Sequence, residues 1–265
     1  MKKALTIAGS DSGGGAGIQA DLKTFTAFGV YGMSAITAIT AQNTVGVQAV
    51  FNLPINIIAE QIKSVVSDIG TDAVKTGMLS SPEIVNTVAD RIEKFELPNV
   101  VVDPVMVAKS GDPLLSEDAR SVVKERMLPL STVITPNIFE AEVLLSHPIK
   151  TIEDMKAAAA ELKKSGCQWV VLKGGHLPGE AEAIDVVYDG KEFYLLKAPF
   201  FQTKNTHGTG CTFSSAIAAG LAKGYEPLGA IKKAKEYITR AIQSSFSIGQ
   251  GHGPTNHLTG VESKW

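Results

Sequence analysis

Cysteine is nearly absent: a chain of 265 residues carries only Cys167 and Cys211. Their spacing matches no metal or haem motif, and two thiols in so long a chain make no disulfide framework. The sequence therefore reads as that of a protein in a reducing, cytoplasmic compartment. No stretch is long and apolar enough to span a membrane. Met1-Lys2-Lys3 has the charge of a signal-peptide start, but the apolar run behind it ends by Gly9-Ser10-Asp11 with no cleavage pattern. An excess of one charge is missing too. Lys plus Arg number 25 against 27 Asp plus Glu, a net of −2. That leaves no basic surface for nucleic acid and no charged tail. Both standard nucleotide fingerprints are lacking. A Walker A loop needs Gly-Lys-Ser/Thr, whereas Gly190-Lys191 precedes Glu192; a dinucleotide fingerprint begun at Gly13 needs glycine where Ile18 stands. There is no internal repeat and no low-complexity segment.

What is present is a hydrophobic content of 44%, enough for a sizeable core. Strand and helix patterns alternate from the start. Strands are expected at 4–8, 34–41, 47–51, 73–75, 100–102, 132–135 and 169–172. Helices are expected from Gln19 to Phe28, behind Pro54 with Ile55, Ile58 and Ile62 on one face, from the Ser81-Pro82-Glu83 cap to Lys94, and from Ser116 to Arg126. Asn137-x-x-Glu140 and Thr151-x-x-Asp154 read as capping boxes of two more. Asp189-Gly190 between two β-patterned runs signals a hairpin. Helices from Thr212 to Lys223 and Leu228 to Phe246 follow. This predicts one α/β domain over residues 1–265, a mostly parallel sheet with helices on both faces and a late hairpin.

In such sheets ligands bind beyond the carboxyl ends of the strands. The residues there are Asp11, Gln42, Asn43, Met78, Asp103, Asn137, Lys173 and the turn Gly208-Thr209-Gly210-Cys211. This turn and Gly13-Gly14-Gly15-Ala16-Gly17 each open a helix. Their N–H groups face the positive end of the dipole, the arrangement of an anion site. A metal-holding carboxylate, a lysine, two anion turns and side-chain amides suit phosphoryl transfer, which needs positioning and charge neutralisation more than covalent chemistry. Cys211 has two readings, a proton acceptor whose thiolate the helix N-terminus favours, or a small packed residue.

Several stretches together resemble the hydroxymethylpyrimidine and phosphomethylpyrimidine kinases of thiamine biosynthesis, in the ribokinase-like superfamily. They are the run from Ala4 to Asp21, Thr40-Ala41-Gln42-Asn43-Thr44, Lys75-Thr76-Gly77-Met78, Val102-Asp103-Pro104-Val105-Met106, Ile134-Thr135-Pro136-Asn137, Lys173-Gly174-Gly175-His176 and Asn205-Thr206-His207-Gly208-Thr209-Gly210-Cys211-Thr212. The resemblance runs from about Ala4 to Pro254. It implies ATP-dependent phosphorylation of 4-amino-5-hydroxymethyl-2-methylpyrimidine and then of its monophosphate, by a homodimer. It implies that Gly9, Asp21, Gln42, Met78 and Val105 line the pyrimidine pocket and that Asp103 holds Mg²⁺. Lys173, Asn137, Glu140 and Thr209 would lie near the ATP phosphates or metal, and Gly208 to Cys211 would cradle the transferred phosphate. Most sugar kinases of the superfamily carry Asp as base where Cys211 stands.

Pyridoxal kinase is the alternative within the same fold. Gln42 favours the pyrimidine, because a primary amide can donate and accept as an aminopyrimidine edge requires. From other classes, an oxidoreductase would need the missing glycine fingerprint, and a ligand sensor would bind without releasing ADP.

Overall fold

Residues along the strands divide cleanly between two apolar layers. Leu5, Ile7, Val74, Val100, Val102, Ile134, Val170, Leu172 and Val186 face one layer, and Ala4, Ala73, Val101, Val133, Val171 and Val187 the other. This is the pattern of a sheet covered on both sides. The computed structural model describes residues 1–106, 116–175, 177 and 182–260; His176 and the terminal 261–265 lie outside them.

In chain order the elements are β1 (Lys3–Ala8), α1 (Gly17–Ala27), β2 (Tyr31–Ile36), β3 (Ala38–Asn43), β4 (Gly46–Asn52), α2 (Ile55–Asp68), β5 (Ala73–Thr76), α3 (Pro82–Lys94) and β6 (Val100–Val102). There follow α4 (Glu117–Val122), a π-helical turn (Val123–Met127), β7 (Val133–Ile134), α5 (Ile138–Leu145), α6 (Ile152–Lys163), β8 (Trp169–Leu172), β9 (Glu182–Tyr188), β10 (Phe193–Pro199), α7 (Thr209–Ala222) and α8 (Pro227–Gln243). An eight-stranded sheet has the order β10-β9-β8-β7-β6-β5-β1-β2. Pairing is parallel from β2 through β8 and antiparallel at β8–β9 and β9–β10. Helices α2 to α6 supply the core on one face, α1, α7 and α8 on the other. The expected mostly parallel sheet with a late hairpin is what forms.

Local signals placed several boundaries well. Ser81 caps α3 by accepting from the Ile84 N–H, and both expected capping boxes close, at Asn137/Glu140 and Thr151/Asp154. Asp189 Oδ1 accepts from the N–H groups of Lys191 and Glu192, tying the hairpin turn, where Gly190 takes φ 100°.

Tertiary contacts changed the rest. The expected strand 34–41 is two strands broken at Thr37. Its N–H donates to the Ala8 carbonyl and its hydroxyl to the Met78 carbonyl, turning the chain out of the large sheet. β3 then pairs antiparallel with β4 in a separate two-stranded sheet. Ile55 is exposed while Ile58, Ala59 and Ile62 are buried, so the apolar face of α2 is narrower than its spacing suggested. The helix expected to Arg126 passes into the π turn at Val123. α8 stops at Gln243 instead of Phe246. α7 starts at Thr209, three residues early, because Gly208 adopts φ 77° as its N-cap. From Thr212 to Ala222 every residue of α7 is buried. Its small side chains let it lie against β1, β5 and β6 with α1 and α8 around it.

Candidate active site

The sheet order turns chain order into spatial order. Beyond the carboxyl ends of the parallel strands, and the adjoining ends of β9 and β10, runs one cavity of about 440 Å³, within the size range of small-molecule sites. From β10 towards β1 its lining includes Pro199, Asp185, Lys173, Asn137, Asp103, Val105, Met78 and Gly9, with Gly208 to Cys211 contributed by α7. It reaches the switch point where β2 and β5 flank β1 on opposite sides.

The two glycine turns differ. In the first, the N–H groups of Gly13, Gly15 and Ala16 all donate to the carboxylate of Asp11, at 2.8 to 3.0 Å. The expected external-anion site is thus already filled by a resident carboxylate. Burial acts to raise the pKa of Asp11, but the bonds from His207, Ala16 and Gly13 outweigh it and hold the carboxyl below its usual range. In the second turn the N–H groups of Gly210 and Cys211 have no acceptor among the described residues, as the first turn of a helix leaves them. Gly208 must be glycine here: its φ is positive and a Cβ would run into the Gly15 carbonyl.

Opposite this turn lie Asp103 and Lys173. A Cβ on Gly210 would stand 3.3 Å from Lys173 Nζ and 3.5 Å from Asp103 Oδ2. Asp103 is 2% exposed; its Oδ1 accepts from Lys173 Nζ and from the Thr135 hydroxyl, both at 3.0 Å. The Ser214 hydroxyl makes a long 3.4 Å contact to its Oδ2. Glu140 uses one oxygen on the Asn137 N–H, while Asn137 Oδ1 accepts from the Glu140 N–H at 2.9 Å. Burial pushes the Glu140 carboxyl up to about 7, against the pull of Lys173 and with a further push from Asp103. Burial acts to lower the pKa of Lys173, but Asp103 and Glu140 keep it raised. The Thr209 hydroxyl donates to the Thr206 carbonyl at 2.7 Å.

At the β1 end the methyl of Met78 covers Gly9, where a Cβ would meet it at 2.7 Å. A register shift between Ala41 and Gln42 marks a bulge in β3, a device that re-aims side chains; Gln42 lines the cavity. Its Oε1 accepts from the Thr40 hydroxyl at 3.2 Å, and its Nε2 lies 3.5 Å from His207 Nε2.

All the expected site residues line this cavity except Asp21 and the strand-end candidate Asn43. Asp21 is completely buried below it, accepting from Lys75 Nζ, the Thr6 hydroxyl and the Ser215 hydroxyl. At Cys211 burial outweighs the pull of the helix N-terminus. Burial pushes its thiol up to about 11; Lys75 opposes this, while Asp21 and Asp103 add to it.

Four features escaped the sequence. His207, which reads as a turn residue, bonds Asp11 through Nε2 at 2.8 Å and joins the two glycine turns. Lys75 reaches the cavity floor. Asp185 pairs with Lys235 of α8 at 2.8 Å and accepts from the Gly174 N–H. Phe201, Ile238 and Ile242 make an apolar end beside that pair. Only the Asp11–His207 link had a signal, two glycine turns each needing an anchor.

The family model described as phosphomethylpyrimidine kinase matches residues 11–256. The chain belongs to the phosphomethylpyrimidine kinase family. It is 49% identical over 256 residues to the hydroxymethylpyrimidine/phosphomethylpyrimidine kinase of Bacillus subtilis, covering 97% of this chain and 94% of that one. A thiamine biosynthesis bifunctional protein of Geobacter sulfurreducens is 51% identical over 97% of this chain, which spans 52% of that longer protein. The ADP complex of Bacillus subtilis pyridoxal kinase superposes with a TM-score of 0.91 at 47% identity, covering 97% of this chain and 98% of that one. The fold is ribokinase-like, and the chain is a phosphotransferase of thiamine biosynthesis.

Proposed function

We propose that ATP binds along the cavity with its base at the apolar end by α8 and its γ-phosphate at Gly208 to Cys211, and that the aminopyrimidine binds at the β1–β5 end. The N–H groups of Gly210 and Cys211, without an acceptor among the described residues and facing Lys173 and Asp103, carry this reading. They aim donors and a cation at one point, where a transferring phosphoryl group needs them. The hydroxymethyl oxygen attacks the γ-phosphorus. The bond to the β,γ-bridging oxygen breaks, ADP leaves with that electron pair, and the hydroxyl proton passes to Cys211 as thiolate. Gly9, Met78 and Val105 frame the pyrimidine ring and Gln42 reads its edge. Asn137, Glu140, Lys173 and Thr209 lie beside the phosphates.

The described residues contain no cluster of three or more His, Cys, Asp or Glu suited to a metal. This fits Mg²⁺, which is commonly held by one or two carboxylates together with substrate phosphates. Asp103, with only a long contact on its Oδ2 among the described residues, would hold the ion near Glu140, and when bound it supplies neutralisation of phosphate charge.

The deciding experiment measures ADP release with hydroxymethylpyrimidine, its monophosphate and pyridoxal side by side. Release with both pyrimidines is expected; release with pyridoxal alone overturns the acceptor assignment. Pyridoxal is the second reading, because a pyridoxal kinase is among the structural neighbours.

Gln42→Met is expected to weaken pyrimidine binding by about 1–3 kcal/mol, since ring polar groups lose their partner, and to leave ATP affinity unchanged. Calorimetric titration with each ligand checks it. Equal losses for both ligands would assign Gln42 to the fold.

We take residues 1–265 as one domain acting as a cytoplasmic homodimer, with no nucleic-acid or membrane partner. No helix among the described residues is long and apolar enough to cross a membrane. Ile39, Val45, Val50 and Phe51 are exposed on the two-stranded sheet and its turn, a face a second copy would cover, which sedimentation checks.

A further inference from the structure

Directly beneath the cavity lies a buried ion pair that phosphate positioning does not use. Lys75 Nζ is 2.9 Å from both carboxylate oxygens of Asp21, and both side chains are completely buried. Gly77 leaves room for the ammonium, since a Cβ there would stand 2.9 Å from Nζ. Asp21 also accepts from the Thr6 hydroxyl and the Ser215 hydroxyl, each at 2.6 Å. One carboxylate of α1 therefore gathers β1, β5 and α7. Ser215 stands four residues after Cys211, one turn along the same face of α7. Replacing a buried ion pair by well-packed apolar residues is often neutral or stabilising, so fold stability alone does not account for this one.

We infer that Lys75 is a positioning residue: Asp21 holds its ammonium under Cys211, where it stabilises negative charge developing on that sulfur. The inference rests on the reading of Cys211 as proton acceptor. The groups that act on the thiol are Lys75 from β5, Asp21 and the Gly17 N–H from α1, and Asp103 beyond β6. Lys173 beyond β8 interacts with it too. Among them Lys75 has the largest influence favouring the thiolate. Burial acts to lower the pKa of Lys75 itself, but Asp21 outweighs it and keeps the ammonium charged.

The test is the pH dependence of Cys211 alkylation by iodoacetamide, followed by peptide mass spectrometry without substrates, with buried Cys167 as internal reference. The proteins compared are the parent, Lys75→Met and the double variant Lys75→Met/Asp21→Asn. The double variant leaves no lone buried charge, so it is expected to fold even if the single one does not, as circular dichroism shows. Loss of the counter-charge moves the Cys211 titration upward by about one unit, hence about tenfold less thiolate at a given pH. A merely structural role has the opposite sign: a loosened α7 start relieves burial and moves the titration down. An unchanged or lowered titration in folded Lys75→Met overturns the inference; in the double variant the upward shift is smaller, because Asp21, which acts against the thiolate, is lost with Lys75, and a downward shift there overturns it too. The alkaline limb of kcat should move up with the alkylation curve while KM for the pyrimidine holds. If alkylation shifts and kcat does not, the inference about Lys75 stands and the assignment of Cys211 as base falls.

Discussion

Asp103→Asn is expected to lower kcat by about 10³-fold while leaving the fold and the thermal midpoint nearly intact. Its charge has two tasks, anchoring Lys173 at 3.0 Å and, in our proposal, holding Mg²⁺. Losing about 4 kcal/mol of transition-state stabilisation corresponds to that factor. Asparagine keeps an oxygen that can accept from Lys173 and Thr135, so the local hydrogen bonds survive. Steady-state turnover over a range of Mg²⁺, with circular dichroism, checks this. A variant that matches the parent at limiting Mg²⁺ removes Asp103 from the site.

Cys211→Ala is expected to cost about 10²-fold, the lower end for a lost general base. The loss stays incomplete because the N–H groups of Gly210 and the residue at 211 remain aimed at the phosphate. A pH profile gives the sign. The thiol is raised to about 11, so thiolate, and with it turnover, rises as pH climbs above neutral. Cys211→Ala should flatten that limb, whereas Cys211→Asp, already ionised at neutral pH, should keep appreciable activity without the slope. Gly210→Val should be worse than either, because its side chain fills the space in front of Lys173 and Asp103 where the phosphate would sit. Turnover at saturating ATP across pH measures all three. If Cys211→Ala keeps the parental rate and slope, the sulfur is not the acceptor.

What could be read from the sequence was local. Most strand patterns, the two capping boxes and the Asp189-Gly190 turn depend on a few neighbouring residues and formed, whereas the 34–41 pattern was split at Thr37. The candidates at strand ends, Asn43 apart, also met in one cavity, because a parallel sheet puts those ends on one edge. What escaped depended on distant partners. A carboxylate on a helix reads as solvent-facing, and Asp21 is buried only because Lys75, 54 residues later, neutralises it. The first glycine turn read as vacant because Asp11 precedes it with no hint that the carboxylate folds back. A helix N-terminus lowers a thiol's pKa when solvent is near; at Cys211, half-buried at the start of α7, burial outweighs this.

The enclosure of α7 also governs the order in which the molecule can become active. Ala4, Ala73, Val101 and Val133 come early in the chain, yet the helix that packs over their face begins only at Thr209. Pairing across so many residues is slow to form. A nascent chain lacking that helix has an uncovered apolar sheet face and no phosphate turn. The helix that closes the middle of that face and the reacting turn are the same segment, with only α8 of that layer still to come, so catalytic competence arrives late in folding.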